Sequence, residues 1–344
     1  MPFNEIVGQD KALKTIRNAL IHKTLPHAYL FYGAKGVGKY TTAISLAKAI
    51  ACGEQEADFC GSCSSCRRIE DGNHPDVYVI RPVITRSGGE WVHDPENGMI
   101  LIDQIREIQR RISLRSFEGG YKVAILDGAE RMSPSAANAL LRMLEEPPGE
   151  TLLILISPTK SHLLPTIVSR CQKIPYPPLS REVLQKMLKE RYGWEEAHSA
   201  LVAGLAGGSV GKSIAMDTEW VCTERRQWIE RLIHIEEGKL EEGISSLAEG
   251  MSRSPVLEDI METYSTWYRD LLIFIETGES LRLLNSDMGE HIALCSPKRK
   301  AEDYITRIQH IQKARKDIED IAVRVNHRLV LEDLLLKLQY DPAP

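Results

Sequence analysis

The chain has 344 residues, of which 43% are hydrophobic and 26% charged, and its formal net charge is −5. The length predicts about two to three domains, and the acidic balance argues against a protein that coats nucleic acid by bulk charge attraction. No apolar stretch reaches the length of a membrane span and the N-terminus lacks the regions of a signal peptide, so we expect a cytoplasmic protein with no membrane partner.

A phosphate loop, residues 33–41, is the first motif along the chain. It reads Gly-Ala-Lys-Gly-Val-Gly-Lys-Tyr-Thr and lies between a strand-like run, 28–31, and a helical pattern, 41–47. The pattern G-x-x-x-x-G-K-[ST] is met except at Tyr40, where a Ser or Thr hydroxyl would hold Mg²⁺. Glycines let the backbone N–H groups point at phosphate oxygens, and Lys39 would reach the β- and γ-phosphates. The residues predicted to bind a nucleotide are Gly33, Gly36, Gly38, Lys39, Tyr40, Thr41 and Asp127.

Four of the seven cysteines crowd into residues 52–66 with the spacing C-x7-C-x2-C-x2-C. In a reducing compartment this density favours a metal over disulfides, and four thiolates are a donor set that Zn²⁺ takes in closed structural sites. An iron–sulfur cluster also uses four thiolates, but the familiar ferredoxin spacing lacks the x7 gap. We therefore predict structural zinc, with an iron–sulfur centre as the alternative. The predicted ligands are Cys52, Cys60, Cys63 and Cys66.

The rest of the first half alternates strand-like and helix-like patterns, which predicts an α/β domain. The Pro- and Gly-containing stretch 81–98 is expected to be a surface excursion. A later helix has Ser133 as a favoured N-cap, and prolines stop it after residue 146. The strand-like runs are 77–80, 122–127 and 152–156, and the helical patterns are 102–114 and 136–146.

The strand-like run 122–127, which ends in an aspartate, lacks part of a hydrolytic site. A working ATPase needs an Asp for the metal, usually followed by a Glu that activates water. Asp127 ends its strand as required, but Gly128 follows it, and Glu130 is expected to point elsewhere from the turn. Because phosphoryl transfer depends on the metal and on positioned polar groups, Tyr40 and Gly128 together predict the loss of hydrolysis. Nucleotide binding stays open, with a purely structural loop as the alternative.

The second half is helical. A proline-rich run, 174–178, marks a domain boundary. Residues 179–216 are predicted to form a small helical unit, and only helical periodicity is found from about 219 to the end. Amphipathic helices of this kind bury one face against their neighbours, which predicts a helical bundle.

Several motifs together resemble a known family. The AAA+ subunits of the bacterial DNA polymerase III clamp loader, meaning the gamma/tau and delta-prime families, carry similar motifs in the same order. The resemblance covers residues 1 to about 216, and beyond them it rests on helical character and on the segment 326–335, similar to the final collar helix. The motifs are Val7-Gly8-Gln9, the lead-in 25–31, the four cysteines, the run 136–148 and Ser169-Arg170-Cys171.

Three departures distinguish between the two families. The gamma/tau motor is expected to carry Ser or Thr after the loop lysine, Asp-Glu on the acid strand and a sensor arginine in the small domain. This chain has Tyr40, Gly128 and Gly211 at those positions. The departures favour the delta-prime family, and the resemblance implies a stator subunit of a DNA polymerase holoenzyme that is not an ATPase alone.

The resemblance also implies an architecture and partners. It divides the chain into a RecA-like AAA+ α/β domain with a zinc module over 1–177, a helical lid over 178–217, and an all-α collar for oligomerisation over 218–344. The implied cofactor is Zn²⁺, and ATP or ADP stays open. The implied partners are the gamma/tau and delta subunits, with the sliding clamp and primed DNA joining the complex.

Arg170 is the predicted catalytic residue, acting in trans. In the family the arginine of the Ser-Arg-Cys motif projects into the ATP site of the adjacent subunit as an arginine finger. Such a finger stabilises charge on the transferring phosphoryl group and contributes about 10³–10⁵ in rate. The alternative is an ordinary arginine that forms a structural salt bridge.

Two other functions compete with this interpretation. One is an autonomous ATPase motor of the gamma/tau type, which would hydrolyse ATP without partners. The other is a zinc-bearing DNA-binding protein with a degenerate phosphate loop, which would bind DNA tightly and with strong salt dependence.

Overall fold

A computed structural model describes residues 2–54, 57–86, 89–95, 97–118, 120–240, 242–319 and 326–340. The chain forms two compact units. The N-terminal unit comprises Met1–Met187 and Gly208–Lys212, and the C-terminal unit comprises Leu188–Gly207 and Ser213–Pro344. The three-domain division expected from the sequence stays a prediction.

A five-stranded parallel sheet forms the centre of the N-terminal unit. Its strand order is β2-β5-β6-β1-β7, and a separate antiparallel hairpin pairs β3 with β4. The hairpin lies within the predicted surface excursion. The strands are β1 (Ala28–Tyr32), β2 (Val77–Ile80), β3 (Val83–Thr85), β4 (Trp91–His93), β5 (Lys122–Asp127), β6 (Thr151–Ser157) and β7 (Gln172–Pro175).

Helices cover both faces of this sheet, because its central strands are apolar on both sides. In β6, Leu153 and Leu155 pack into one core cluster, whereas Leu152 and Ile154 pack into the cluster on the opposite face. This arrangement confirms the predicted RecA-like α/β class, with the phosphate loop after β1. The helices of this region are α1 (Asp10–Ile21), α2 (Lys39–Ala51), α3 (Ser64–Glu70), α4 (Ile102–Ser113), α5 (Pro134–Glu145) and α6 (Pro165–Arg170).

Local sequence signals set the ends of α5. The hydroxyl of Ser133 accepts a hydrogen bond from the N–H of Ala136 at 3.2 Å, and Pro134 occupies the first turn. The helix ends at Glu145, ahead of Pro147. The predicted helix therefore forms where its capping residues place it.

The remaining structure is helical. In the C-terminal unit, Tyr264, Trp267 and Tyr268 of the longest helix are fully buried in one apolar core. No helix among the described residues is both long and apolar enough to cross a bilayer. The helices are α7 (Arg181–Tyr192), α8 (Glu196–Leu205), α9 (Val210–Ala215), α10 (Arg225–Glu236), α11 (Ile244–Ser252), α12 (Leu257–Thr277), α13 (Gly289–Cys295), α14 (Ala301–Glu319) and α15 (His327–Tyr340), with a π-helical turn at Trp220–Glu224.

A buried carboxylate fixes the connection between α4 and β5. Asp76 accepts hydrogen bonds from the hydroxyl of Ser116 at 2.9 Å and from the N–H groups of Phe117 and Glu118 at 2.9 and 3.0 Å. Burial alone would raise the pKa of this carboxyl, but the hydrogen bonds outweigh burial and the pKa lies below its ordinary value. The charged form of Asp76 therefore stabilises the folded unit.

Replacing Asp76 with Asn tests this role. Asn removes the charge that these donors stabilise, so we expect Asp76→Asn to lower the free energy of unfolding by about 2 kcal/mol at neutral pH. Because the folded pKa is depressed, the stabilisation is present above the pKa of an unfolded aspartate, about 3.9. It is lost as the pH falls through the lower folded value.

Urea unfolding at a series of pH values measures this difference. The gap between wild type and Asp76→Asn should close in acid, and the exposed Asp71→Asn serves as the matched control. A gap that persists unchanged at low pH would contradict the assignment.

Candidate functional site

The phosphate loop connects β1 to α2, and its lysine faces inward. Lys39 is the first residue of α2 and is buried. Its Nζ donates hydrogen bonds to the carbonyl oxygens of Gly33 and Ala34, the latter at 2.6 Å. Burial lowers the pKa of Lys39, while Asp127 and Glu130 act in the opposite direction. The cation that would contact phosphates is thus held by carbonyls of its own loop.

The other predicted nucleotide ligands surround this lysine. Gly36 and Gly38 have φ angles of +79° and +98°, in the left-handed region that favours glycine. Thr41 lies half-buried in the first turn of α2. The structure therefore brings the loop, Lys39 and Asp127 together at one edge of the sheet.

Tyr40 and Asp127 both contact Arg81, a residue that the sequence interpretation missed. The Arg81 guanidinium carbon lies 4.8 Å from the centre of the Tyr40 ring, and its Nε lies 3.6 Å from Asp127 Oδ2. Burial raises the pKa of the Tyr40 hydroxyl, whereas the charge of Arg81 acts to lower it. Arg81 therefore lies between the two side chains that would flank a bound metal.

Gly128 has a steric reason to be glycine. Its φ is +88°, and a Cβ added there would lie 3.0 Å from Cγ of Pro82. A side chain at position 128 would therefore be strained by the backbone and crowded by Pro82. The carboxylate that would activate water in a motor could stand here only with a strained backbone and a shift of Pro82.

The segment around Gly211 packs directly on the phosphate loop. The N–H of Gly211 donates to the carbonyl of Gly36 at 2.9 Å, and the Ser209 hydroxyl donates to the carbonyl of Lys35 at 2.9 Å. A Cβ added at Gly211 would lie 2.9 Å from the Cα of Gly36. At the position where a motor would carry an arginine, the backbone of Gly211 therefore contacts the backbone of Gly36, and both residues belong to the N-terminal unit.

The four predicted metal ligands converge. Their sulfur atoms all lie within 4.8 Å of one another, and tetrahedral Zn–S bonds of about 2.3 Å would place them about 3.8 Å apart. Backbone N–H groups donate to three of the sulfurs, including that of Cys63 to Cys60 at 3.2 Å. Cys52 and Cys66 are buried, and Cys60 and Cys63 are partly exposed. This donor set could hold a metal ion.

The electrostatics of the four thiols differ. Hydrogen bonds from the backbone of Ser62 and Cys63 lower the pKa of Cys60 to about 6. Burial, with the neighbouring thiols, raises the pKa of Cys66 to about 12. A metal cation would supply the charge that holds the buried thiols as thiolates.

Arg170 ends α6 with its side chain 37% exposed. Its guanidinium forms an ion pair with Glu145 Oε1 at 2.7 Å and donates to the carbonyl of Thr166 at 3.0 Å. These contacts are with the ends of α5 and α6, not with the phosphate loop. The structure therefore presents the guanidinium at the surface.

Known proteins resemble the whole of this chain. Residues 8–180 match the family model described as DNA polymerase III, delta subunit, and residues 220–340 match its C-terminal counterpart. DNA polymerase III subunit delta' of Bacillus subtilis is 29% identical, with 98% of this chain and 97% of the relative covered. The delta' subunit of Pseudomonas aeruginosa is 32% identical, with 92% and 93% covered. DNA polymerase III subunit tau of B. subtilis is 34% identical, with 62% and 37% covered.

The close contact between Gly211 and Gly36 makes a prediction about stability. Gly211→Ala places a methyl group against backbone atoms, which cannot rotate away as a side chain could. We expect the free energy of unfolding of the N-terminal unit to fall by about 1–3 kcal/mol, and amide hydrogen exchange in residues 33–38 to accelerate.

Gly120→Ala is the matched control, since nothing lies within 4 Å of a Cβ added there. Calorimetric melting and hydrogen exchange measure both variants. Equal behaviour of the two would refute the contact as a structural constraint.

Proposed function

Because the chain belongs to the delta-prime subunit family of DNA polymerase III, we propose that it acts as the stator of a clamp loader. In this role it completes the ATP site of a neighbouring subunit while hydrolysing no ATP itself. The observation that carries the proposal is which residues stand at three positions of the chain's own nucleotide site. Tyr40, Gly128 and Gly211 stand where a motor needs a hydroxyl, a carboxylate and an arginine. The Tyr40 ring contacts Arg81, and a Cβ added at position 128 or 211 would lie 3.0 or 2.9 Å from a neighbouring atom.

Arg170 is the residue that would act on the neighbour's nucleotide. An exposed ion pair contributes only about 0–1 kcal/mol, so releasing the guanidinium from Glu145 costs little. Its planar fork can then form two parallel hydrogen bonds with phosphoryl oxygens. Negative charge develops on those oxygens in the transition state, and the arginine stabilises that charge.

We propose that the four cysteines hold a structural Zn²⁺. Cys52 follows α2 and Cys66 lies within α3, so the ion would tie the end of one helix to the next. With four sulfur ligands no coordination position is left for a substrate or a water. The metal therefore stabilises the fold and takes no part in the reaction.

We also propose that the chain is divided into three domains, over 1–177, 178–217 and 218–344. The last segment would assemble with the gamma/tau and delta subunits, and the complex would open the sliding clamp and place it on primed DNA. The helices of this segment pack around one buried apolar core that includes Trp267.

Substituting Arg170 tests the trans-acting role. In a clamp loader reconstituted with motor and delta subunits, Arg170→Ala should slow ATP hydrolysis at the completed site by about 10³-fold or more. Arg170→Lys keeps a charge but loses the fork, and should recover only a small part of the rate. Single-turnover phosphate release measures both variants.

Two controls make this test specific. Arg142→Ala, on the exposed side of α5, should leave the rate unchanged, and the wild-type chain alone should hydrolyse no ATP. Full activity of the Arg170→Ala complex would remove the finger assignment, and partner-free hydrolysis by the wild-type chain would favour a motor.

Replacing two thiols tests the metal. The double variant Cys60→Ser and Cys63→Ser should lose its zinc, and the N-terminal unit should lose at least about 3 kcal/mol of stability, because metal binding contributes directly to folding. Metal analysis by mass spectrometry and thermal melting measure these effects, with the exposed Cys222→Ser as control. Iron in the purified wild type, or unchanged stability of the double variant, would contradict structural zinc.

A further inference from the structure

Arg81 occupies a fixed position beside Asp127 because of strand register. In the parallel pair of β2 and β5, Ile80 lies opposite Leu126. The next residues, Arg81 just after β2 and Asp127 at the end of β5, therefore lie side by side at the carboxyl edge of the sheet. The phosphate loop leaves the same edge from the parallel strand β1. Three chain segments thus converge on one point.

The surroundings hold Arg81 at that point. The backbone carbonyl of Arg81 accepts a hydrogen bond from Gln104 Nε2 at 3.0 Å, and Pro82 restricts the chain immediately after it. The guanidinium is retained by the face of the Tyr40 ring at 4.8 Å and by the Asp127 carboxylate at 3.6 Å. Its side chain is 40% exposed, so a ligand from solvent can reach it.

These residues do not fit a divalent cation. Mg²⁺ requires oxygen ligands in near-octahedral geometry, and the helix offers an aromatic ring where a hydroxyl would bind. The Asp127 carboxylate already faces a guanidinium, which would repel a second cation. The positive charge that a metal would bring is nevertheless present, carried by Arg81 beside Asp127.

We propose that Arg81 permanently replaces the divalent cation of this loop, and that the loop binds the phosphate groups of a nucleotide without metal. Guanidinium and phosphate form strong, bidentate hydrogen bonds. Lys39 would turn from the carbonyls of Gly33 and Ala34 to the same phosphates. This site is separate from the stator role, because Arg170 can complete a neighbour's site whether or not this loop is filled.

The preference for metal tests the proposal directly. ADP is titrated into the full chain by calorimetry, once with EDTA and once with excess Mg²⁺. We expect binding in EDTA to be at least as tight as in Mg²⁺, because the metal ion competes with Arg81 for the same phosphate oxygens. Binding that Mg²⁺ tightens tenfold or more, or no binding of ADP at millimolar concentration, would overturn the proposal.

The ADP affinities of Arg81 variants show whether binding depends on the charge of this side chain. Arg81→Ala should weaken ADP binding in EDTA about tenfold or more, the loss expected for one charge-assisted contact. Arg81→Lys should be intermediate, and Arg142→Ala, on the exposed side of α5, should bind as wild type does. Thermal melting verifies that each variant is folded. Equal affinity of Arg81→Ala and wild type in EDTA would also overturn the assignment.

Discussion

The parallel pairing of β2, β5, β6 and β1 is the constraint on which the rest of the N-terminal unit depends. Strands that run in one direction bring their carboxyl ends to one edge of the sheet, where α/β proteins bind ligands. The phosphate loop and Asp127 meet there for that reason. A slip of one residue between β2 and β5 would separate Arg81 from Asp127 and would turn every side chain of β2 to the other face.

The features that the sequence predicted well are those with local causes. The phosphate loop lies between a strand and a helix as expected, and the cysteines converge because little chain separates them. The helix that begins after Ser133 carries its own start and stop signals. In each case the residues that determine the structure lie close to one another in the sequence.

The features that the sequence did not reveal depend on contacts between distant segments. Arg81 stands beside Asp127 only because β2 pairs with β5, and no local pattern gives strand order. The contact of Gly36 with Gly211 joins residues on opposite sides of a long stretch of sequence. The hairpin of β3 and β4 was missed because strands of three residues are too short to have a periodicity.

The packing around the phosphate loop also limits which side chains positions 40, 128 and 211 can accept. A Ser or Thr at position 40 would remove the ring that contacts the guanidinium of Arg81. A carboxylate restored at 128 would meet Pro82, and an arginine restored at 211 would meet the backbone of Gly36. At positions 128 and 211, the motor's side chains could therefore return only if Pro82 or the backbone of Gly36 shifted as well, so a protein carrying either single substitution would be less stable than this one.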